Sequence, residues 1–166
     1  MVEGKEEILE KVRPILAILG KKIFYLGNHG NGNFAKLVNN LLAASLQTAS
    51  SEAFMLGLKA GLPLDILLEV LRSGSGRNYS VEVKIPKFVL SGQFDPGFAI
   101  NLMSKDLDLA MEVARQAGVP APCGALAQQV YRMAKSEGLG QKDSCAIIKL
   151  WEKWTQMEAR SKPEQR

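Results

Sequence analysis

The segment most able to do chemistry is Gly27-x-x-Gly30-x-Gly32-x-x-x-Lys36-x-x-x-Asn40. Glycines let a backbone turn sharply into a helix and let a ligand come close at Gly30 and Gly32. Lys36 and Asn40 are four residues apart, so a helix presents both on one face. With the helix beginning near Phe34, Lys36 falls in its first turn, where the positive end of the dipole disfavours a second positive charge. Phe34, Leu37 and Val38 add apolar surroundings. Both effects suit a lysine that gives and takes a proton near neutrality. Taken alone, Lys36 reads better as one more surface lysine. A phosphate-loop reading fails on spacing, because Lys36 neither directly follows a glycine nor precedes Ser or Thr.

Other reactive types carry weaker signals. His29 sits in the glycine turn and could touch a ligand or simply be exposed. Ser73-Gly74-Ser75-Gly76-Arg77 could grip an anion or merely connect two helices. Trp151 and Trp154, three apart, read as a packing stripe. Cys123 and Cys145 lack metal spacing, and one histidine cannot complete a usual zinc set, so no metal site is expected.

These residues need elements to hold them. Ile8, Leu9, Val12, Ile15, Leu16 and Leu19 recur at helical spacing and predict a helix from Glu6 to Leu19, with Pro14 a possible kink. Lys22-Ile23-Phe24-Tyr25-Leu26 predicts a strand without a partner, resembling the end of an α/β domain whose exposed edge something must cover. Phe34 to Ala60 predicts one helix of roughly 40 Å, apolar or small around most of its circumference between Leu41 and Ala49. Such a helix is expected to be buried on every side at the centre of a bundle. Shorter helices are expected at Asp65–Leu71, Ile100–Ala117, Leu126–Glu137 and Ser144–Glu158. Val81–Val89, containing Pro86, fits no simple pattern. Arg160 to Arg166 reads as a loose tail.

Bulk properties exclude several classes. Of 166 residues, 46% are hydrophobic and 23% charged, the balance of an ordinary globular chain. The net charge of +4 comes from lysines alternating with acids, a pattern of solvated helix faces, and no nucleic-acid motif accompanies it. No apolar run reaches the roughly 18 residues of a membrane span. The charged start, Glu3 to Glu7, is unlike a signal peptide. Two lone cysteines suggest a reducing cytoplasm.

Gly30-x-Gly32-x-x-x-Lys36-x-x-Asn39-Asn40, Ser51-Glu52-Ala53 and Ala60-Gly61-Leu62 resemble the β-hydroxyacid dehydrogenase family. That family includes 3-hydroxyisobutyrate dehydrogenase and tartronate semialdehyde reductase and is related to 6-phosphogluconate dehydrogenase. Phe98-x-x-x-Leu102-x-x-Lys105-Asp106-Leu107-x-Leu109-Ala110 and Ala117-Gly118-Val119-Pro120 extend the resemblance. So does Gly138-Leu139-Gly140-x-x-Asp143-Ser144, with one residue fewer between the last two than the family pattern. Together these motifs cover Met1 to about Glu152.

The resemblance implies a mainly α fold, a helical bundle around one long central helix like the C-terminal domain of 6-phosphogluconate dehydrogenase. It implies a dinucleotide-domain remnant at residues 1–27, a substrate and dimerisation domain at 28–158, and a flexible tail at 159–166. Lys36 matches the catalytic acid/base, and Asn40 a substrate ligand beside Gly30 and Gly32. Lys105 matches a residue against the NAD or NADP cofactor, with Phe98 and Asp106 near the same cleft. Asp106 could instead pair within its helix, and Phe98 could be plain core. The family's Gly-x-Gly-x-x-Gly turn and Ser-Gly-Gly loop do not occur, so turnover by the chain alone is not expected. The expected partners are a small anionic hydroxy acid and a second copy of the chain, with neither nucleic acid nor membrane. The alternative is a non-catalytic helical oligomerisation module. A helical ligand-binding regulator is a third reading, though it lacks a recognition-helix signature.

Overall fold

The structure, a computed structural model, describes residues 1–160 and is mainly helical. It divides into two compact units, Met1–Asn39 and Asn40 onward.

In the first unit, α1 (Glu6–Leu19) forms as the spacing predicts and runs through Pro14 without ending. It buries Leu9 and leaves Ile8, Ile15, Ile18 and Leu19 exposed. The expected strand is not there. Of Lys22 to Leu26 only Tyr25 makes a bridge, pairing in parallel with Val2. The Val2 amide donates to Phe24 O at 2.8 Å, and Leu26 and Gly4 complete the pairing with bonds of 2.9 and 2.7 Å. The segment is β-like in composition, but a ladder needs a partner of matching length, and only Val2 to Gly4 lies beside it.

Helix α2 (Asn31–Lys59) begins three residues earlier than the sequence suggests. In the second unit its inward face is Ala44, Gln47, Thr48, Ser51, Phe54 and Met55, at helical spacing. The expectation of burial on every side is wrong, because Leu42 is 59% and Leu56 70% exposed. Hydropathy misjudged the faces. The buried side is carried by small and hydroxyl residues whose donors bond within the turn, such as Thr48 Oγ1 to Ala44 O at 2.9 Å. Leu42, Leu46 and Leu56 stand on the other side.

After α3 (Leu64–Ser73), Ser80–Val89 winds as a π-helix containing Pro86, which explains why its pattern matched no standard period. Helices α4 (Ile100–Gln116) and α5 (Pro122–Ser136) follow, then a 3₁₀ turn at Ser144–Ile147 leading into α6 (Ile148–Thr155). Phe54, Ile85, Ile100, Leu107, Tyr131 and Ile147 form the centre of the core. The last predicted helix is shorter than expected because Gln156 turns left-handed at φ 55°. Trp151 packs on the core while Trp154 is exposed, the two rings meeting edge to face at 5.5 Å.

The expected tail starts too early. Ala159 is buried, and Arg160 bonds Glu152 at 2.5 Å, Val89 O at 3.2 Å, and lies over the Phe94 ring. Residues 161–166 of the expected tail lie outside the described residues.

Candidate functional site

Gly27 and Gly30 adopt positive φ, 77° and 95°, which is the conformational freedom the turn into α2 uses. Because α2 starts at Asn31, Lys36 lies in its second turn, where the terminal dipole has largely faded. Lys36 is also exposed, as are Phe34 and Val38 beside it. The two environmental arguments for Lys36 drawn from the sequence therefore weaken. What survives is its place one helical turn before Asn40.

Sequence reasoning missed Glu3. Its carboxylate accepts the Gly32 amide at the start of α2. That amide first, then Gly30's, holds the Glu3 carboxyl below the usual range, against a smaller desolvation penalty. Amides at a helix N-terminus collect anions, and here the chain supplies its own. A Cβ on Gly32 would lie 2.9 Å from Glu3 Oε2. Gly32 leaves room there for the Glu3 carboxylate, the flexible end of a residue that the sequence offered only as one of several charges near the start. His29 stands against Gly4, its Cε1 3.2 Å from where a Cβ would be.

In the second unit the structure brings Asn40, Lys105 and Asp106 together. Asn40 Nδ2 donates to Asp106 Oδ2 at 2.7 Å. Asp106 is 2% exposed, on the inward side of α4. The Lys105 ammonium stands 3.6 Å from Asp106 Oδ1, and its side chain is 62% exposed. Phe98 is half-buried and packs against the core, so its ring has both a structural contact and an open side.

Asp143 is the second omission. It is fully buried and gathers the segment that leads into α4. Lys84 Nζ donates to both its oxygens at 2.8 Å. The amides of Gly97, Phe98 and Cys145 donate to it at 3.0, 3.1 and 3.1 Å. Burial alone would push the Asp143 carboxyl up, but Lys84 and the amides outweigh it and hold it below the usual range. Its residue stood within a recognisable motif, yet nothing in one sequence ties it to Lys84, 59 positions away. Beside it, burial raises the Cys145 thiol, which marks an inert core cysteine.

The Ser73–Arg77 loop is a connection. Arg77 pairs with Glu82, and Arg72 donates to Glu82 O at 3.0 Å. Among the described residues, no cluster of histidine, cysteine and carboxylates could hold a metal. Among the described residues, no helix is long and apolar enough to cross a membrane.

The second unit thus sets an asparagine of α2 against a buried aspartate of α4 that a lysine neighbours. Residues 30–151 match the family model described as NAD-binding of NADP-dependent 3-hydroxyisobutyrate dehydrogenase, and the chain belongs to that family. It is 41% identical over 155 residues to 2-(hydroxymethyl)glutarate dehydrogenase of Eubacterium barkeri, covering 93% of this chain and 52% of the relative. It is 37% identical to NAD-dependent L-serine dehydrogenase of Pseudomonas aeruginosa, covering 92% of this chain and 53% of that one. The solved Mycobacterium tuberculosis 3-hydroxyisobutyrate dehydrogenase with L-serine superposes with a TM-score of 0.82 at 34% identity, over 91% of this chain and 54% of that one. The chain spans about half the length of these relatives.

Proposed function

We propose that this chain is the substrate-side half of a nicotinamide-dependent dehydrogenase acting on a small 3-hydroxy acid or the matching semialdehyde. The observation that carries the reading is the meeting of Asn40 with Asp106 beside Lys105, since these positions come from two separate family motifs. Lys36 is the proton carrier: as the substrate hydroxyl becomes a carbonyl, its ammonium–amine pair accepts the hydroxyl proton, and it returns one in reduction. Asn40 holds the hydroxyl in line. Gly30 supplies the positive φ of the turn into α2, and Gly32 leaves room there for the Glu3 carboxylate.

A bound nicotinamide supplies the hydride acceptor or donor. The residues present fit such a group, because Lys105 offers an exposed cation and Phe98 an aromatic face. Recognition of the dinucleotide phosphates belongs to a separate dinucleotide-binding half of the kind that the relatives' remaining length accommodates. The exposed apolar side of α1 and the Val2–Tyr25 pairing are surfaces such a half would cover. A second reading, an association module, draws on the exposed leucines of α2. The two are compatible, since a homodimer built through α2 is the partner we propose.

The test joins the part of the Eubacterium barkeri relative that this chain does not cover to the start of this chain and follows nicotinamide absorbance with a panel of 3-hydroxy acids. Turnover is expected, and Lys36→Ala lowers kcat by roughly 10²-fold or more, the size of a lost general acid/base. Turnover unaffected by that substitution removes Lys36 from the chemistry.

A further inference from the structure

The segment from Gly138 to Ser144 has no part in the proposed chemistry, yet it is stitched to the start of α4. The helix has no side-chain cap of its own. Its first two amides, those of Ile100 and Asn101, donate instead to Lys142 O and Gly140 O, both at 2.9 Å. In return the amides of Asp143 and Ser144 donate to Phe94 O at 3.0 Å and Phe98 O at 2.8 Å. At the centre, Asp143 Oδ2 accepts the amides of Gly97 and Phe98, while Lys84 Nζ donates to both carboxylate oxygens at 2.8 Å.

Stability alone does not call for such an anchor, because a well-packed apolar pair of the same volume usually serves as well as a buried ion pair. An apolar pair cannot accept two consecutive amides, and so cannot fix the path by which the chain enters the helix. What that path carries is Phe98, half-buried with its ring against the core, and then α4 itself. Lys105 follows Ile100 by five residues, about 7.5 Å along the axis. A helix start that shifts takes Lys105 with it.

We propose that Asp143, held by Lys84 from the π-helix, is a positioning residue for the cofactor side of the domain, acting through Phe98 and Lys105. Its meaning rests on the dehydrogenase reading, in which those two residues face the nicotinamide. The anchoring itself is tested without that reading.

The experiment has two arms, each on Lys84→Met and on the double variant Lys84→Met with Asp143→Asn. The double variant leaves no unpaired buried charge, and it decides the matter should Lys84→Met fail to melt cooperatively. In the first arm, hydrogen exchange of single amides is followed by nuclear magnetic resonance in the 166-residue chain. The amides of Gly97, Phe98, Ile100 and Asn101 are expected to exchange roughly 10-fold faster or more, while those of Val130 and Tyr131 in α5 slow or hold relative to them. Wild-type protection at the start of α4, or an equal loss throughout the chain, overturns the proposal.

In the second arm the joined enzyme carries the same substitutions, beside Leu150→Ala as a control that loosens the core on α6. KM for the dinucleotide is expected to rise roughly 10-fold with KM for the hydroxy acid unchanged, and Leu150→Ala to show no such split. Two unchanged KM values, two raised alike, or the same split in Leu150→Ala reduce Asp143 to a structural group and overturn the proposal. If the wild-type joined enzyme is inactive, the dehydrogenase reading fails, and the first arm still decides whether Asp143 anchors α4.

Discussion

Single residues settle much of this molecule, and Asp143 settles the most. Removing one partner of a buried ion pair leaves an uncompensated charge, which typically costs about 3–5 kcal/mol. Lys84→Met is therefore expected to destabilise the chain by about that much at pH 7. The sign of its pH dependence follows from the direction of the shift. Asp143 is held below its unfolded value of about 3.9, so the pair's contribution is in place above about pH 4 and fades as pH falls through the lower folded value. In Lys84→Met, burial is left to dominate, and the carboxyl takes up a proton more easily. The gap between wild type and variant should shrink in urea melts as pH drops from 7 to below 4. A constant gap would show that Lys84 acts through packing and not through charge. At this scale motif spacing in the sequence singled out Lys36, Asn40 and Lys105, the residues on which the proposed function rests. It hid Glu3, Lys84 and the bond from Asp106 to Asn40, because each depends on a contact between distant positions that one sequence does not encode.

Elements were legible where a single period dominated. Helices α1 and α4 lie within a residue of the predicted bounds because each has one apolar stripe and a clear stop. Two of the expectations that failed did so for distinct reasons, and a third segment had given none. The Lys22–Leu26 strand had the composition but no partner, the Ser80–Val89 segment adopted a period no standard template contains, and the α2 start was set by Glu3 and not by the first apolar residue. Close packing between elements was invisible as well. A Cβ on Gly124 of α5 would lie 2.6 Å from Leu41 Cδ1 and 2.9 Å from Met111 Sδ. Two effects then compete in Gly124→Ala. Helix propensity favours alanine by about 1 kcal/mol, and overpacking costs about 1–3 kcal/mol, eased because both neighbours are tips of flexible side chains. Gly124→Ala should fall within about 1 kcal/mol of wild type, whereas Gly124→Val, with lower propensity and more bulk, should lose about 1–3 kcal/mol. Chemical denaturation measures both. A valine variant as stable as wild type would mean that α5 does not approach α2 and α4 this closely.

At the scale of the whole molecule, the remaining question is what covers the outward side of α2. Leu42 and Leu46 follow one another at four-residue spacing on the second unit's part of α2, and both are exposed, Leu42 at 59%. A stripe like this on a free helix is costly, since each leucine returned to water forgoes roughly 1.5–3 kcal/mol of burial. Contiguous apolar surface of this kind marks an association face. The stripe repeats along one helix, so a second copy can meet it with the same residues about a two-fold axis, the commonest way for identical chains to close. We therefore expect a dimer or larger assembly in solution at micromolar concentration, read by sedimentation equilibrium against the 18.1 kDa of one chain. Leu42→Lys together with Leu46→Glu should shift the equilibrium to monomer while leaving the helical circular dichroism intact, because neither side chain belongs to the buried core. The argument for association has moved from that drawn on the sequence. There the helix needed neighbours because every side looked apolar; here one side is satisfied by its own core and the other is bare. A wild-type chain that sediments as a monomer and melts cooperatively would show that the bare stripe is tolerated, and the proposed homodimer would be lost with it.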